Sequence, residues 1–245
     1  MDRAAYDGMS AIENRHWWFV ARRSIIASLI DRIDLPEVPR ILEAGCGTGG
    51  NLELLADYGQ LDAFEYDDDA RALSAAKGIC PVRFGALPDR VDSGNAPYDL
   101  IAMLDVLEHI DDDRASLATL GTLLARDGRM IVTVPAVPSL WSNHDVLHHH
   151  KRRYTRDGLS AVFAAAGLVV EDIGYFNSLL FPLALAQRLA ARVTGSEQPV
   201  DSLPAKPLNA ALQAVFSAER HMLGKVRFPI GLSLYAIARR GGGTA

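Results

Sequence analysis

Between residues 40 and 175, short apolar runs alternate with stretches of helical periodicity, and this alternation restricts the fold more than any other feature. Arg40–Ala44, Leu61–Tyr66, Pro81–Phe84, Tyr98–Leu104, Arg129–Val134 and Leu168–Tyr175 read as strands. Asn51–Tyr58, Asp69–Lys77, Asp112–Arg126 and Thr155–Ala166 read as helices between them. Strands joined by helices run parallel with both faces covered, and YDLIAML, apolar almost throughout, suits a strand buried on both sides. The pattern predicts an α/β, doubly wound sheet. Residues 11–33 read as an N-terminal helix, ended by Pro36 and Pro39. Two apolar helices near 178–193 and 205–222, separated by TGSEQPVDSLP, precede a last strand at Ile230–Ala238, and Gly241–Ala245 reads as a frayed tail. With no internal repeat, residues 1–245 read as a single domain: 11–33 a lid helix, 40–175 the ligand-binding core, 177–225 a helical insertion and 230–238 the closing strand.

Composition narrows the classes. The formal net charge of −5 argues against a chain that coats nucleic acid. Two cysteines, Cys46 and Cys80, make neither a disulfide framework nor a four-thiolate zinc site. The N-terminus lacks a continuous apolar core of the export type, and the most apolar stretch, Leu179–Ala186, is far short of the ~20 residues a membrane span needs. The expectation is a cytoplasmic protein, with peripheral contact at the inner membrane face left open.

The segment ILEAGCGTGG runs strand, glycine loop, helix, and Gly45, Gly47 and Gly50 satisfy the dinucleotide pattern G-x-G-x-x-G. Glu43 argues otherwise. A carboxylate two residues before Gly45 repels a pyrophosphate but suits a ligand carrying an ammonium and a sulfonium. Asp67, twenty residues after Gly47, can accept hydrogen bonds from both ribose hydroxyls, which serves NAD equally well. Glu43 therefore carries the discrimination, against a bland reading of the glycines as a packing turn.

LEAGCGTGG, FEYDDDARALSAAK, YDLIAMLDVLEHI and LLARDGRMIVTVP, in that order, resemble the successive motifs of class I S-adenosylmethionine-dependent methyltransferases over roughly residues 40–175. The resemblance implies a Rossmann-like sheet of seven strands, the last antiparallel, with S-adenosylmethionine as cofactor. It implies Gly45, Cys46 and Gly47 beneath the methionine part and Asp67 on the ribose. It also implies Asp68, Ala86 and Leu87 near the adenine and Leu104 near the ribose and methionine. Gly85 stands about where many relatives carry an acid for the adenine amino group.

Five of the seven histidines lie between residues 109 and 150, on segments that follow the fourth and fifth strands, where a doubly wound sheet forms its crevice. His109 is the first candidate for a base, and His149 or His150 the second. Asp105, Glu108 and His109 have D-x-x-E-H spacing and, with His150, could hold Mg²⁺. This resembles the E-x-x-E-H arrangement of the ubiquinone-pathway O-methyltransferases and the small-RNA 3′-end 2′-O-methyltransferases, with Asp105 in place of a glutamate. Arg152, Arg153 and Tyr154 read either as an anion clamp for the acceptor or as a basic turn. Trp18, in HWWF, either packs on the sheet or covers the acceptor. The insertion helices suit a lipid-linked acceptor, a membrane surface, a homodimer contact or extra core. The expected activity is O-methylation of a small or lipid-linked acceptor. The rivals are N- or C-methylation by proximity alone, an NAD-dependent oxidoreductase and a non-catalytic nucleotide-binding module.

Overall fold

The computed structural model describes residues 3–92, 94–194 and 203–242. β1 (Arg40–Ala44), β2 (Gln60–Glu65), β3 (Val82–Phe84), β4 (Tyr98–Leu104), β5 (Leu124–Pro135), β6 (Leu168–Phe176) and β7 (Ser233–Arg240) form one sheet in the order β3-β2-β1-β4-β5-β7-β6. β1 to β5 pair in parallel, and β7 lies antiparallel between β5 and β6. The chain leaves β1 toward β2 and β3, then crosses back to β4 on the other side. That reversal opens a crevice beyond the C-terminal ends of β1 and β4.

Alternation along the central strands builds two apolar layers. Leu100, Ala102 and Leu104 of β4 pack with Ile25, Ile26 and Leu29 of α2 (Trp17–Ile30) and Phe216 of α9 (Lys206–Ala218). Ile101 and Met103 point the other way, to Leu117 and Leu120 of α5 (Asp113–Leu123) and Leu159 and Phe163 of α7 (Arg156–Ala165). Each buried aliphatic or aromatic side chain contributes roughly 1.5–3 kcal/mol, so the sheet is held from both faces.

Three boundaries depart from expectation. The helix read at 11–33 is two helices, α1 (Arg3–Ile12) and α2, broken at residues 13–16. Glu13 turns inward there and is buried, and His16 caps α2 by accepting from the Trp18 amide at 3.3 Å. The helix read to Arg126 stops at Leu123, because Leu124 already pairs with Tyr98 across β4 and β5. Gly128 then lies inside the strand, where a Cβ would fall 2.6 Å from the Tyr98 carbonyl oxygen, so only glycine fits. β7 starts at Ser233 rather than Ile230, which is exposed.

The remaining helices are α3 (Leu52–Ala56), α4 (Asp68–Ala76), α6 (Asn143–Leu147) and α8 (Phe181–Thr194). Residues 195–202 of the link expected between the two insertion helices, and 243–245 of the expected tail, lie outside the described residues. Among the described residues no helix is long and apolar enough to cross a membrane.

Candidate active site

β1 delivers the chain to Gly45, whose φ of +77° is the left-handed region that favours glycine, and whose Cβ would lie 2.8 Å from Val106. The loop after β1 is therefore pressed against the loop after β4. Its amides point inward. Gly45 N and Cys46 N donate to the Phe64 carbonyl at 3.0 and 3.1 Å, and Gly47 N donates to Glu65 Oε2 at 2.8 Å. A pyrophosphate needs such amides aimed at it. Here they are committed, with two buried carboxylates beside them, and this weighs against a dinucleotide.

Those carboxylates are Glu43 and Glu65. Glu43 ends up fully buried near the end of β1, with Oε1 accepting from Asn51 Nδ2 at 2.9 Å and Oε2 without a partner. Burial pushes its carboxyl up to about 7, against the pull of Asn51 and the Arg22 guanidinium. An unpartnered buried carboxylate oxygen of this kind fits a cationic ligand group. Glu65 closes β2 and also accepts from Asp67 N at 2.9 Å.

Asp67, the residue read for the ribose, is spent elsewhere. Its Oδ1 caps α4 by accepting from Asp69 N and Ala70 N at 3.0 and 3.1 Å, and its carboxylate takes the Tyr6 hydroxyl from α1. Asp68 is exposed and pairs with Arg71 at 2.5 Å. Ala86 closes a tight turn with Arg90 through two 2.8 Å backbone bonds, Leu87 packs at the edge of the core, and Leu104 is buried at the end of β4. Gly85 lies on Phe64, where a Cβ would come within 2.5 Å of the ring, so no acidic side chain fits. An open cleft of about 480 Å³ lies beyond β2 and β3, lined by Tyr66, Asp67, Asp68, Asp69, Phe84 and Arg90.

Arg22, buried on α2, joins the two halves of the crevice. It pairs with Asp105 at 2.5 Å, donates to Thr133 Oγ1 at 3.1 Å and to Asn51 Oδ1 at 3.5 Å, and lies 5.2 Å over the Trp18 ring. Trp18 is thereby packed on Arg22 and on Phe19. Asp105 sits at φ +57°, strained for a non-glycine residue and held by this pairing.

The other side of the crevice is assembled by two loops. After β4, a short turn at Leu107–His109 places Glu108 and His109. After β5, residues 136–154 form a loop tied at its neck by the pairing of Ala136 with Tyr154 and stitched to the first loop by Lys151 N donating to the Glu108 carbonyl at 2.7 Å. α6 lies in this second loop and carries Asp145, which is fully buried. Asp145 Oδ1 takes His150 Nδ1 at 2.9 Å and Arg153 Nε at 2.7 Å, and Oδ2 takes Ser142 N at 2.9 Å. Burial alone would raise the Asp145 carboxyl. His150, Arg153 and the Ser142 amide outweigh burial and hold it well below the usual carboxylate range. The ionised carboxylate fixes the proton on Nδ1 of His150 and makes Nε2 its basic atom.

The His109 ring meets His150 edge-on at 4.8 Å and hydrogen-bonds the His149 backbone. Burial, with His150 and His148 close by, pushes the His109 imidazole down to about 4, so it stays neutral at physiological pH.

Several expectations change here. His149 is exposed at φ +55°, so the pair of candidates His149 and His150 resolves to His150. The four-residue metal set loses Asp105 to Arg22. Glu108, His109 and His150 keep ligand atoms within 4.8 Å of one another, and Glu108 Oε2 is buried without a partner. One carboxylate oxygen and two imidazoles do not fit Mg²⁺, which takes oxygen ligands. The anion clamp is also absent as read. Arg153 is committed to Asp145, while Arg152 Nη1 and the Tyr154 hydroxyl both donate to Asp113 Oδ2, at 2.8 and 2.9 Å.

A model of the methyltransferase domain family matches residues 16–173. The chain belongs to this family, among the class I S-adenosylmethionine-dependent methyltransferases. The C-methyltransferase NovU of Streptomyces niveus is 27% identical over 160 residues, covering 62% of this chain and 38% of that one. The ubiquinone biosynthesis O-methyltransferase of Xylella fastidiosa (strain 9a5c) is 33% identical over 100 residues, 38% of this chain and 41% of that one. The chain thus spans about two-fifths of the length of these two relatives. A chain from the complex of the Haloferax volcanii Trm112 methyltransferase activator with a methyltransferase shares the fold. Its TM-score is 0.62 at 15% identity, over 97% of this chain and 98% of that one.

Within this member of the family, the sequence alone did not single out Glu65, Arg22, Asp145 and Glu13. Glu13 accepts from Thr48 Oγ1 at 2.7 Å and pairs with Lys77, seating the α1–α2 corner on the glycine loop. For Glu65 a signal existed. Asp67 followed by Asp68 and Asp69 is an N-cap pattern, which leaves Glu65 as the acid at the strand end.

Proposed function

We propose that this methyltransferase transfers a methyl group to an oxygen of a small or lipid-linked acceptor, with the Asp145–His150 pair taking the hydroxyl proton. The observation that carries the reading is that pair: a buried carboxylate 2.9 Å from an imidazole that meets His109 across the loops after β4 and β5. An amine acceptor needs little beyond proximity, whereas a hydroxyl needs a base as it becomes nucleophilic.

S-adenosylmethionine supplies a sulfonium methyl when bound. Glu43 would hold its ammonium, Gly45, Cys46 and Gly47 its methionine part, and Leu104 its ribose. Glu65 would take the ribose role read for Asp67, and the cleft walled by Tyr66, Asp68 and Phe84, with Ala86 and Leu87 beside it, would receive the adenine. With the donor bound, transfer would form a C–O bond as the C–S bond breaks, and His150 Nε2 would take the hydroxyl proton. Asp145 stabilises the resulting imidazolium, and S-adenosylhomocysteine leaves as a neutral thioether.

Incubation of the protein and methyl-labelled S-adenosylmethionine with a cell extract, split into lipid, soluble and nucleic-acid fractions, tests the reading. Label is expected in the lipid or soluble fraction as a methyl ether. Label confined to nucleic acid, or recovered on nitrogen or carbon, contradicts it.

Glu108 favours a second reading. With His109 and His150 it offers the two-imidazole, one-carboxylate donor set of borderline cations such as Zn²⁺. Asp145 and the His149 backbone orient the two rings as outer partners do in metal sites. Such an ion would polarise the acceptor oxygen. Loss of turnover in EDTA and its return with Zn²⁺ would select this reading over the first.

A further inference from the structure

We infer that the outer face of α9, with the turn that follows it, is a docking surface for an anionic lipid bilayer. This goes beyond the proposed transfer reaction and does not depend on it. Among the described residues, eight of the fifteen exposed large apolar side chains fall between Leu179 and Ile230. α9 shows how the face is built. Its inner side packs on α2, with Phe216 6.1 Å from Trp17 and Asn209 accepting from the Trp17 amide at 2.9 Å. Its outer side presents Leu208, Ala211, Val215 and Ala218 in one helical stripe, with Leu208 53% and Val215 41% exposed. No charged residue interrupts α9 after Lys206. On α8, Leu183 and Leu189 are half exposed. The α9 stripe is apolar surface of the kind that marks a contact rather than a solvent face.

Charge selects the occupant. Residues 178–232 hold six Lys and Arg against three Asp and Glu, in a chain of net charge −5. One of the three acids, Glu219, is buried and accepts from the amides of Ser178 and Leu179 at 2.7 Å each, tying the start of α8 to the end of α9. The exposed cations Arg220, Lys225 and Arg227 alternate with Val226 and Ile230 directly after α9. Apolar side chains rimmed by cations match a headgroup layer of negative charge. A second copy fits less well, because a two-fold contact brings the same patch, cations included, against itself. α2 links this face to the crevice: Trp17 touches α9, and Arg22, five residues on, holds Asp105.

The test is co-sedimentation of the full chain with vesicles of phosphatidylcholine alone and with 30% phosphatidylglycerol added. The chain is expected to pellet with the anionic vesicles at least tenfold better than with the neutral ones, and to be released by 0.5 M salt. Leu208→Glu with Val215→Glu, both at exposed positions, should abolish binding while the circular dichroism spectrum stays unchanged. Lys225→Glu with Arg227→Glu should reduce anionic-vesicle binding to the neutral-vesicle level. Equal binding to both vesicles, no binding to either, or a lipid-free dimer in sedimentation that Val215→Glu splits would each overturn the inference.

Discussion

The loop after β1 and the loop after β5 border the same crevice and are built in opposite ways. The first is a matter of backbone: three glycines at positive φ, and amides turned inward to Phe64 and Glu65. The second is a matter of side chains. Asp145, His150 and Arg153 come together within nine residues of loop and reach across to His109 on the loop after β4. The contrast shows why a cofactor half can be constant while an acceptor half varies. A backbone cradle tolerates few substitutions, whereas a loop-borne side-chain cluster can be rewritten without disturbing the sheet.

Arg22 touches both halves, and its loss is the harshest way to break the contrast. Arg22→Met strips the partly buried Asp105 of its ion pair at a strained φ, leaving it only the Thr133 hydroxyl at 3.3 Å, and breaking a largely buried ion pair costs up to about 3–5 kcal/mol. A drop in Tm of roughly 6–20 °C is expected by calorimetry, at about 2–4 °C per kcal/mol for a chain of this size. A change within experimental scatter would mean that Arg22 holds nothing. Gly45→Ala acts on the cofactor half alone. Left-handed strain and contact with Val106 should weaken S-adenosylmethionine binding on the order of 10²-fold by titration calorimetry, with the sheet intact.

Glu43 sharpens the comparison further. Its carboxyl titrates near pH 7 in the unliganded protein, and a cationic ligand needs the ionised form. Affinity for S-adenosylmethionine should therefore rise with pH, by up to about tenfold per unit below 7, and level off above 8. In Glu43→Gln the slope should vanish. A pH-independent wild-type Kd would remove Glu43 from the ligand. The smallest effect belongs to metal removal: turnover measured in EDTA should equal turnover without it, because the favoured reading uses the Asp145–His150 pair as the base and no ion.

The same contrast explains what could be read in advance. The strands and the glycine loop are legible because their signals are contiguous: an apolar run, a punctuating glycine, a next run; the antiparallel direction of the last strand follows only from the family resemblance. The proposed ribose acid lies two residues before the one read from sequence because FEYDDDA offers four acids, and only the start of α4 decides which one caps a helix. His150 could not be separated from His149 in HHHK, since its partner Asp145 reaches it only through the fold of the loop. Arg152, Arg153 and Tyr154 looked like a free basic cluster because Asp113 and Asp145 pair with them through tertiary structure. Glu13 and Lys77, 64 residues apart, meet only once α1 lies on the glycine loop.

The claim that the acceptor half works through a side-chain base is tested most directly by His150→Ala, with methyl transfer and S-adenosylmethionine Kd measured on the same preparation. The account predicts a loss of ~10²-fold or more in transfer rate with the Kd unchanged. A variant that transfers methyl at close to the wild-type rate would contradict it.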